Sequence, residues 1–265
     1  MRRFTFRNSN TMEDSTNNND EILEVSGDMI SVKESRFSGA LWYEKIQETE
    51  VTVAGIGGIG SYVCYLLSRM NLKMIKMFDP DIVEAVNLSG QMYRSVDIGF
   101  NKVSAMANIM NDFSMYKNYI AMPTYFNSSS NAEDIIICGF DNMEARRLAF
   151  EMWKGHVNSL EGEAKSNCLF IDGRLDAEML QIFSIKGDDE RAMEDYYTNH
   201  LFTDAQADET VCSYKQTTYM ANMIGSLITN IFVNFIANKC NPAIEHDVPF
   251  YTEYDSSMMF FKAVN

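Results

Sequence analysis

The sequence predicts an α/β fold: a doubly wound, mostly parallel sheet continued by antiparallel strands in the C-terminal third. Three observations carry that expectation. From residue 51 to residue 156, short apolar runs of strand length alternate with longer stretches of helical period, the rhythm of β-α-β units. A glycine cluster, Gly55-Ile56-Gly57-Gly58-Ile59-Gly60, separates the first such strand from the first such helix. Past residue 168 the rhythm changes to neighbouring strands and one long apolar helix.

The elements follow in order. Residues 1–30 are expected to form a disordered tail, because 1–25 are rich in Asn, Ser, Thr and Glu and lack apolar periodicity. Residues 36–47 read as a helix. Val51–Ala54 is a short buried strand and Ser61–Met70 a helix that stops at Asn71. Lys73–Phe78 is the second strand, ending in Asp79-Pro80-Asp81. Lys102–Met110 is helical, and Pro123 pushes the strand Tyr119–Phe126 toward a sheet edge. Ile135–Phe140 is a buried strand followed by the helix Asn142–His156. Leu169–Asp172 and Met179–Ile185 are strands. The acidic stretch 186–216 has no readable period and is expected to be a long loop. Met220, Ile224, Leu227, Ile231 and Phe235 fall at helical spacing and form a core-packing stripe. Phe250–Tyr254 and Met258–Lys262 read as a closing hairpin.

Lys+Arg number 22 and Asp+Glu 37, a formal charge of −15. That balance argues against a nucleic-acid partner, which is held by cations on phosphates, and against an anionic membrane surface. It suits a basic protein partner or simple solubility. The 5 cysteines include no C-x-x-C pair, so no zinc site is expected. Free thiols, no secretory signal and a late apolar stretch too broken to span a bilayer lead to the expectation of a cytoplasmic protein.

The glycine cluster fits G-x-G-x-x-G. Gly55 permits the tight turn, Gly57 lets the backbone approach a phosphate, and Gly60 lets the helix pack close to the strand. The helix N-terminus offers free N–H groups to an anion. Asp79 and Asp81 end the next strand, where a carboxylate can accept from ribose hydroxyls. This Rossmann-like constellation indicates a nucleotide, and NAD- and FAD-binding proteins share it; glycines that merely pack a tight turn are the simpler reading.

Further residues narrow the nucleotide. Asn87-Leu88-Ser89-Gly90-Gln91, Gly99-Phe100-Asn101-Lys102 and Asp141-Asn142-Met143-Glu144-Ala145-Arg146 follow in that order. With the glycine cluster and Asp79-Pro80-Asp81, the series resembles the ThiF/MoeB/HesA-type adenylyltransferases and the adenylation domains of ubiquitin-activating (E1-like) enzymes. Those read G-x-G-G-x-G, D-x-D, N-L-x-R-Q, G-x-x-K and D-N-x-x-x-R. The resemblance covers roughly residues 36–240 and implies that 31–265 is one adenylation domain, with 186–216 as its crossover-type loop. It implies that Asp79 holds the ribose, that Asn87 and Lys102 contact the triphosphate, and that Asp141 acts near Mg²⁺ and the α-phosphate. Gly58 and Gln91 fall in the same nucleotide-binding motifs. Arg36 matches a family arginine that reaches the nucleotide of a neighbouring subunit, which implies a homodimer. Plainer readings stand beside each: Lys102 as a solvated helix-start lysine, Asn87 as a turn residue, Asp141-Asn142 as an N-cap, Arg146 as a structural ion-pair partner, and Arg36 as a surface residue.

Two departures matter. Gly90 replaces the family's phosphate-binding arginine, and Arg94 is the nearest candidate to replace it. Cys212, ahead of the long apolar helix, stands where some relatives place an acceptor thiol; a helix N-terminus and Lys215 would lower its pKa, although a buried structural cysteine is the commoner case. The expectation is an ATP- and Mg²⁺-dependent enzyme that adenylates the C-terminal carboxylate of a small ubiquitin-like or sulfur-carrier protein ending in Gly-Gly, then passes it to a thiol or sulfur donor. The alternatives are an NAD-dependent oxidoreductase and a catalytically inactive ATP-binding scaffold.

Overall fold

The structure, a computed structural model, describes residues 36, 37, 39–202, 217–241 and 243–265. Its strands are β1 (Glu50–Ala54), β2 (Met74–Phe78), β3 (Tyr119–Met122), β4 (Ile135–Cys138), β5 (Leu169–Leu175), β6 (Met179–Lys186), β7 (Tyr251–Asp255) and β8 (Phe260–Val264). Its helices are α1 (Leu41–Gln47), α2 (Gly58–Ser68), α3 (Lys102–Ser114), α4 (Met143–Ser159), α5 (Glu190–Asp195) and α6 (Thr218–Cys240). The strands form one 8-stranded sheet in the order β3-β2-β1-β4-β5-β6-β7-β8. β1 to β5 run parallel, and β6, β7 and β8 add antiparallel pairs.

The central strands are apolar on both faces because both faces are covered. In β4 all of Ile135, Ile136, Ile137 and Cys138 are buried, the pattern of a parallel strand between helical layers. One layer buries Ile59, Val63 and Leu67 of α2, Val103, Met106 and Met110 of α3, and the apolar stripe of α6. The other layer buries Phe150 and Trp153 of α4 together with Phe170, Met193 and Tyr196. α6 is long and apolar enough to cross a bilayer by length and composition, yet 61% of its apolar window is buried inside the molecule, where it packs on α2.

Several boundaries differ from the sequence reading for local reasons. The strand before Pro123 stops at Met122 and lies at the sheet edge, because proline cannot donate to a ladder. β4 stops at Cys138, since Gly139 crosses under Gly55: a Cβ on Gly139 would stand 3.1 Å from the Gly55 carbonyl oxygen. α4 starts where Asn142 caps it, its Oδ1 accepting from Ala145 N at 2.8 Å. The stretch 186–216 does not begin as a loop. Asp189 caps α5 by accepting from Ala192 N at 2.9 Å, and a wider helical turn, Tyr196–His200, follows. Buried Met193 and Tyr196 anchor these turns in the aromatic layer. Residues 203–216, and Cys212 with them, lie outside the described residues, as does the tail expected over 1–30.

Candidate nucleotide site

The sheet order brings β2, β1 and β4 side by side, so their carboxyl ends share one edge. The glycine loop follows β1, Asp79 follows β2, and Asp141 stands three residues past the end of β4. The chain turns in opposite directions from β1, outward to β2 and back to β4, which makes this edge the crevice where doubly wound sheets take ligands.

The loop is held from beneath. Gly55 has φ +87°, and a Cβ there would lie 2.9 Å from Gly139 O. A Cβ on Gly60 would collide with the Gly55 carbonyl. These two glycines serve chain crossing and helix–strand packing. Gly57 differs: the nearest atom to a Cβ there would be Gln91 Nε2 at 3.9 Å, so the protein leaves space above it. Gly58 opens α2, whose N–H groups line that space.

Asp79 is 6% exposed and accepts from Ile56 N at 2.7 Å and Asp81 N at 2.9 Å. Burial raises its pKa, opposed by the Lys102 charge and by those two N–H groups. Asp79 therefore braces the glycine loop as well as facing the crevice. Lys102 opens α3, and its side chain is 9% exposed with Nζ 2.8 Å from Asp81 Oδ2. It is a half-enclosed charge at the crevice, not a solvated surface lysine. Tyr93 was not singled out by its sequence position. Its hydroxyl donates to Ile56 O at 2.6 Å and lies 3.4 Å from Lys102 O, tying the loop to α3. Ser61 Oγ accepts from Met92 N at 3.0 Å, fixing the segment that carries Gln91.

Gln91 Oε1 is buried without a hydrogen-bond partner. A buried amide oxygen left unpaired costs free energy of about 1–3 kcal/mol unless a ligand or solvent meets it. Together with the open space over Gly57, it fits a polar group seated on the loop. Asn87 serves first as a cap: Oδ1 accepts from Glu84 N at 2.8 Å, leaving the amide nitrogen as the donor a phosphate could use. Asp141 is exposed, its Oδ1 3.2 Å from Asn142 Nδ2. Asp141 can reach a cation at the mouth, and the N-cap role belongs to Asn142. Arg36 stands exposed in a turn ahead of α1, which packs on α6.

Two arginines are structural. Arg146 pairs with Asp172 and donates to Gly173 O at 2.9 Å and to Phe140 O, fastening the residue before Asp141 to β5. Asp172 is fully buried and also takes Arg174 Nε at 2.7 Å and the Tyr196 hydroxyl at 2.9 Å. Arg94 is spent on Asp97, at 2.9 Å, and on Asp112 near the far end of α3 from Lys102. It does not replace the arginine missing at Gly90: its guanidinium already has two carboxylates, and Asp112 lies about 15 Å along α3 from Lys102 at 1.5 Å per residue.

Known proteins share this frame. Over 84% of this chain and 65% of its own, the crystal structure of PaaA superposes with a TM-score of 0.62 at 16% identity. The structure of E. coli MccB with ATP covers 85% of this chain and 66% of its own, with a TM-score of 0.61 at 16% identity. At such identities the likeness establishes the fold. In sequence, the ubiquitin-like modifier-activating enzyme 5 of Culex quinquefasciatus is 30% identical over 121 residues, 39% of this chain and 30% of its own length. The Caenorhabditis elegans enzyme of that name is 40% identical over 63 residues, 24% of this chain and 15% of its own. The matched region thus spans less than a third of either relative. The ThiF family matches residues 31–265, and the chain belongs to that family.

Proposed function

We propose that this chain is an E1-like activating enzyme that uses ATP to adenylate the C-terminal carboxylate of a small ubiquitin-like or sulfur-carrier protein. The observation that carries the reading is one crevice holding the glycine loop, the Lys102–Asp81 pair, the unpaired Gln91 Oε1 and Asp141. A carboxylate oxygen attacks the α-phosphorus and pyrophosphate leaves, so catalysis rests on cations and oriented donors around phosphate. The loop N–H groups and the α2 N-terminus seat the phosphates, and Lys102 turns from Asp81 toward the departing charge. Asp79 and Asp81 face the ribose, and Asn87 offers its amide. Mg²⁺ would be held at Asp141 and would neutralise the pyrophosphate. Arg36, exposed, is free to enter a partner's site in a homodimer, and Cys212 is the candidate acceptor thiol. Three buried free thiols, Cys64, Cys138 and Cys168, suit a reducing, cytoplasmic setting.

The test is ATP–pyrophosphate exchange with small proteins ending in Gly-Gly. Exchange that needs both Mg²⁺ and the carboxyl substrate supports the reading. NAD binding without ATP binding would replace it with the oxidoreductase. One observation favours a second reading, an ATP-binding scaffold without turnover: Gly90 lacks the family arginine and Arg94 is committed elsewhere. Tight ATP binding with no exchange under any carboxyl substrate identifies that case.

A further inference from the structure

At the opposite end of the sheet, where the parallel strands begin, three donor atoms of different chemistry converge. Asp134 precedes β4, His156 sits in the last turn of α4, and Cys168 precedes β5. His156 Nε2 is 2.8 Å from Asp134 Oδ1, and Cys168 Sγ is 3.7 Å from the same oxygen. All three ligand atoms lie within 4.8 Å of one another. We propose that Asp134, His156 and Cys168 form a zinc site with an open fourth position for water.

The donor set is the reason for choosing zinc. Thiolate, imidazole and carboxylate together suit a borderline-soft ion that accepts tetrahedral coordination; magnesium and calcium prefer all-oxygen sets. Zinc takes sulfur at about 2.3 Å and nitrogen or oxygen at about 2.0–2.2 Å, so its ligand atoms stand a few ångström apart, as these do. The scaffold is rigid on all sides. The Asp134 carbonyl accepts from Leu169 N at 2.9 Å and from Trp153 Nε1 at 3.0 Å, and Cys168 N donates to Lys165 O at 3.0 Å. These bonds fix the backbone of two ligands and the helix of the third. Burial is graded: Cys168 is enclosed, His156 is half-buried, and Asp134 is exposed, so an ion can enter from solvent on the carboxylate side. The nearest cation, Lys239, is turned to Ser166 O at 2.5 Å and Asn167 Oδ1 at 3.0 Å.

Without metal, burial and the neighbouring carboxylate push the Cys168 thiol up to about 12. Zinc binding forms the S–Zn bond and releases the thiol proton to solvent. The ion then staples the starts of β4 and β5 to the end of α4, remote from the nucleotide crevice.

Metal-free full-length protein is titrated with Zn²⁺, and with Co²⁺ as a spectroscopic probe. The expected result is one equivalent bound, a sulfur-to-cobalt charge-transfer band in the near ultraviolet, and a rise in thermal midpoint with zinc. Cys168→Ser should abolish the band, and His156→Gln, a half-exposed change that spares the core, should weaken zinc binding at least tenfold. Absence of stoichiometric binding overturns the proposal. So does binding that neither variant alters, or a charge-transfer band that survives in Cys168→Ser.

Discussion

Asp172→Ala tests how the crevice is held. Asp172 is fully buried and meets Arg146, Arg174 and the Tyr196 hydroxyl. The two arginine side chains are 7% and 13% exposed, so neither can recover full hydration when the carboxylate is removed. Removing one partner of a buried pair leaves uncompensated charge and costs about 3–5 kcal/mol. Arg146 keeps the carbonyls of Gly173 and Phe140, and Arg174 keeps His200 O at 2.8 Å, which places the expected loss toward the lower end. At about 2–4 °C per kcal/mol for a chain of this size, the thermal midpoint should fall by about 6–12 °C. Urea denaturation followed by tryptophan fluorescence measures the loss directly, because Trp153 sits in the same aromatic layer. Asp172→Asn, which keeps an acceptor oxygen, should fall between the variant and the parent. The reasoning is refuted if Asp172→Ala unfolds within about 1 kcal/mol of the parent, the scale of an exposed ion pair.

Three further outcomes follow from the site and its surroundings. Lys102→Ala should lower ATP–pyrophosphate exchange by about 10²–10³-fold, the usual cost of one transition-state donor, with a change in stability below about 1 kcal/mol because its partner Asp81 is largely exposed. Gly60→Ala drives a methyl into the Gly55 carbonyl and should cost about 1–3 kcal/mol together with nucleotide affinity, read by urea titration and by fluorescent-ATP binding. Burial against Phe183 and Phe250 lowers the pKa of His200 below its usual 6.5, with Arg174 adding to the effect and Asp195 opposing it. Its contribution to stability is therefore complete above pH 6.5 and is lost as pH falls from there through the folded value. An NMR titration of His200 should show a midpoint under 6.5, and His200→Gln should flatten that part of the stability profile.

The fold was legible wherever one physical signal dominated. Runs such as Ile135–Cys138 announce strands buried on both faces, and Pro123 marks the sheet edge it occupies. The stretch 186–216 was misread because α5 is a 6-residue helix too short to show a period; its stability comes from Asp189 capping and from Met193 and Tyr196 entering the aromatic layer. Those are tertiary gains that a local pattern does not display. Cys138 likewise ends a strand early because of a crossing by Gly55, a contact between residues far apart in sequence.

The nucleotide crevice and the zinc cluster differ in legibility for one physical reason. Each part of the crevice sits at a strand end or helix start, and such ends follow a fixed order in a β-α-β chain, so Gly55, Asp79, Lys102 and Asp141 could be aligned by spacing alone. The supports of that crevice could not. Tyr93 is one tyrosine among 13, and nothing in its spacing indicates that its hydroxyl reaches Ile56 O. Asp134, His156 and Cys168 lie still further from any motif: the carboxylate is 22 residues from the imidazole and 34 from the thiol. The absence of C-x-x-C bears only on sites built within one turn of chain. Here the strand starts of a parallel sheet bring Asp134 and Cys168 together, since Ile135 pairs with Leu169, and the return of α4 across the face delivers His156. A parallel sheet thus assembles two kinds of edge, and the one where strands begin leaves no signature in linear spacing even when its donor atoms are as convergent as those where strands end.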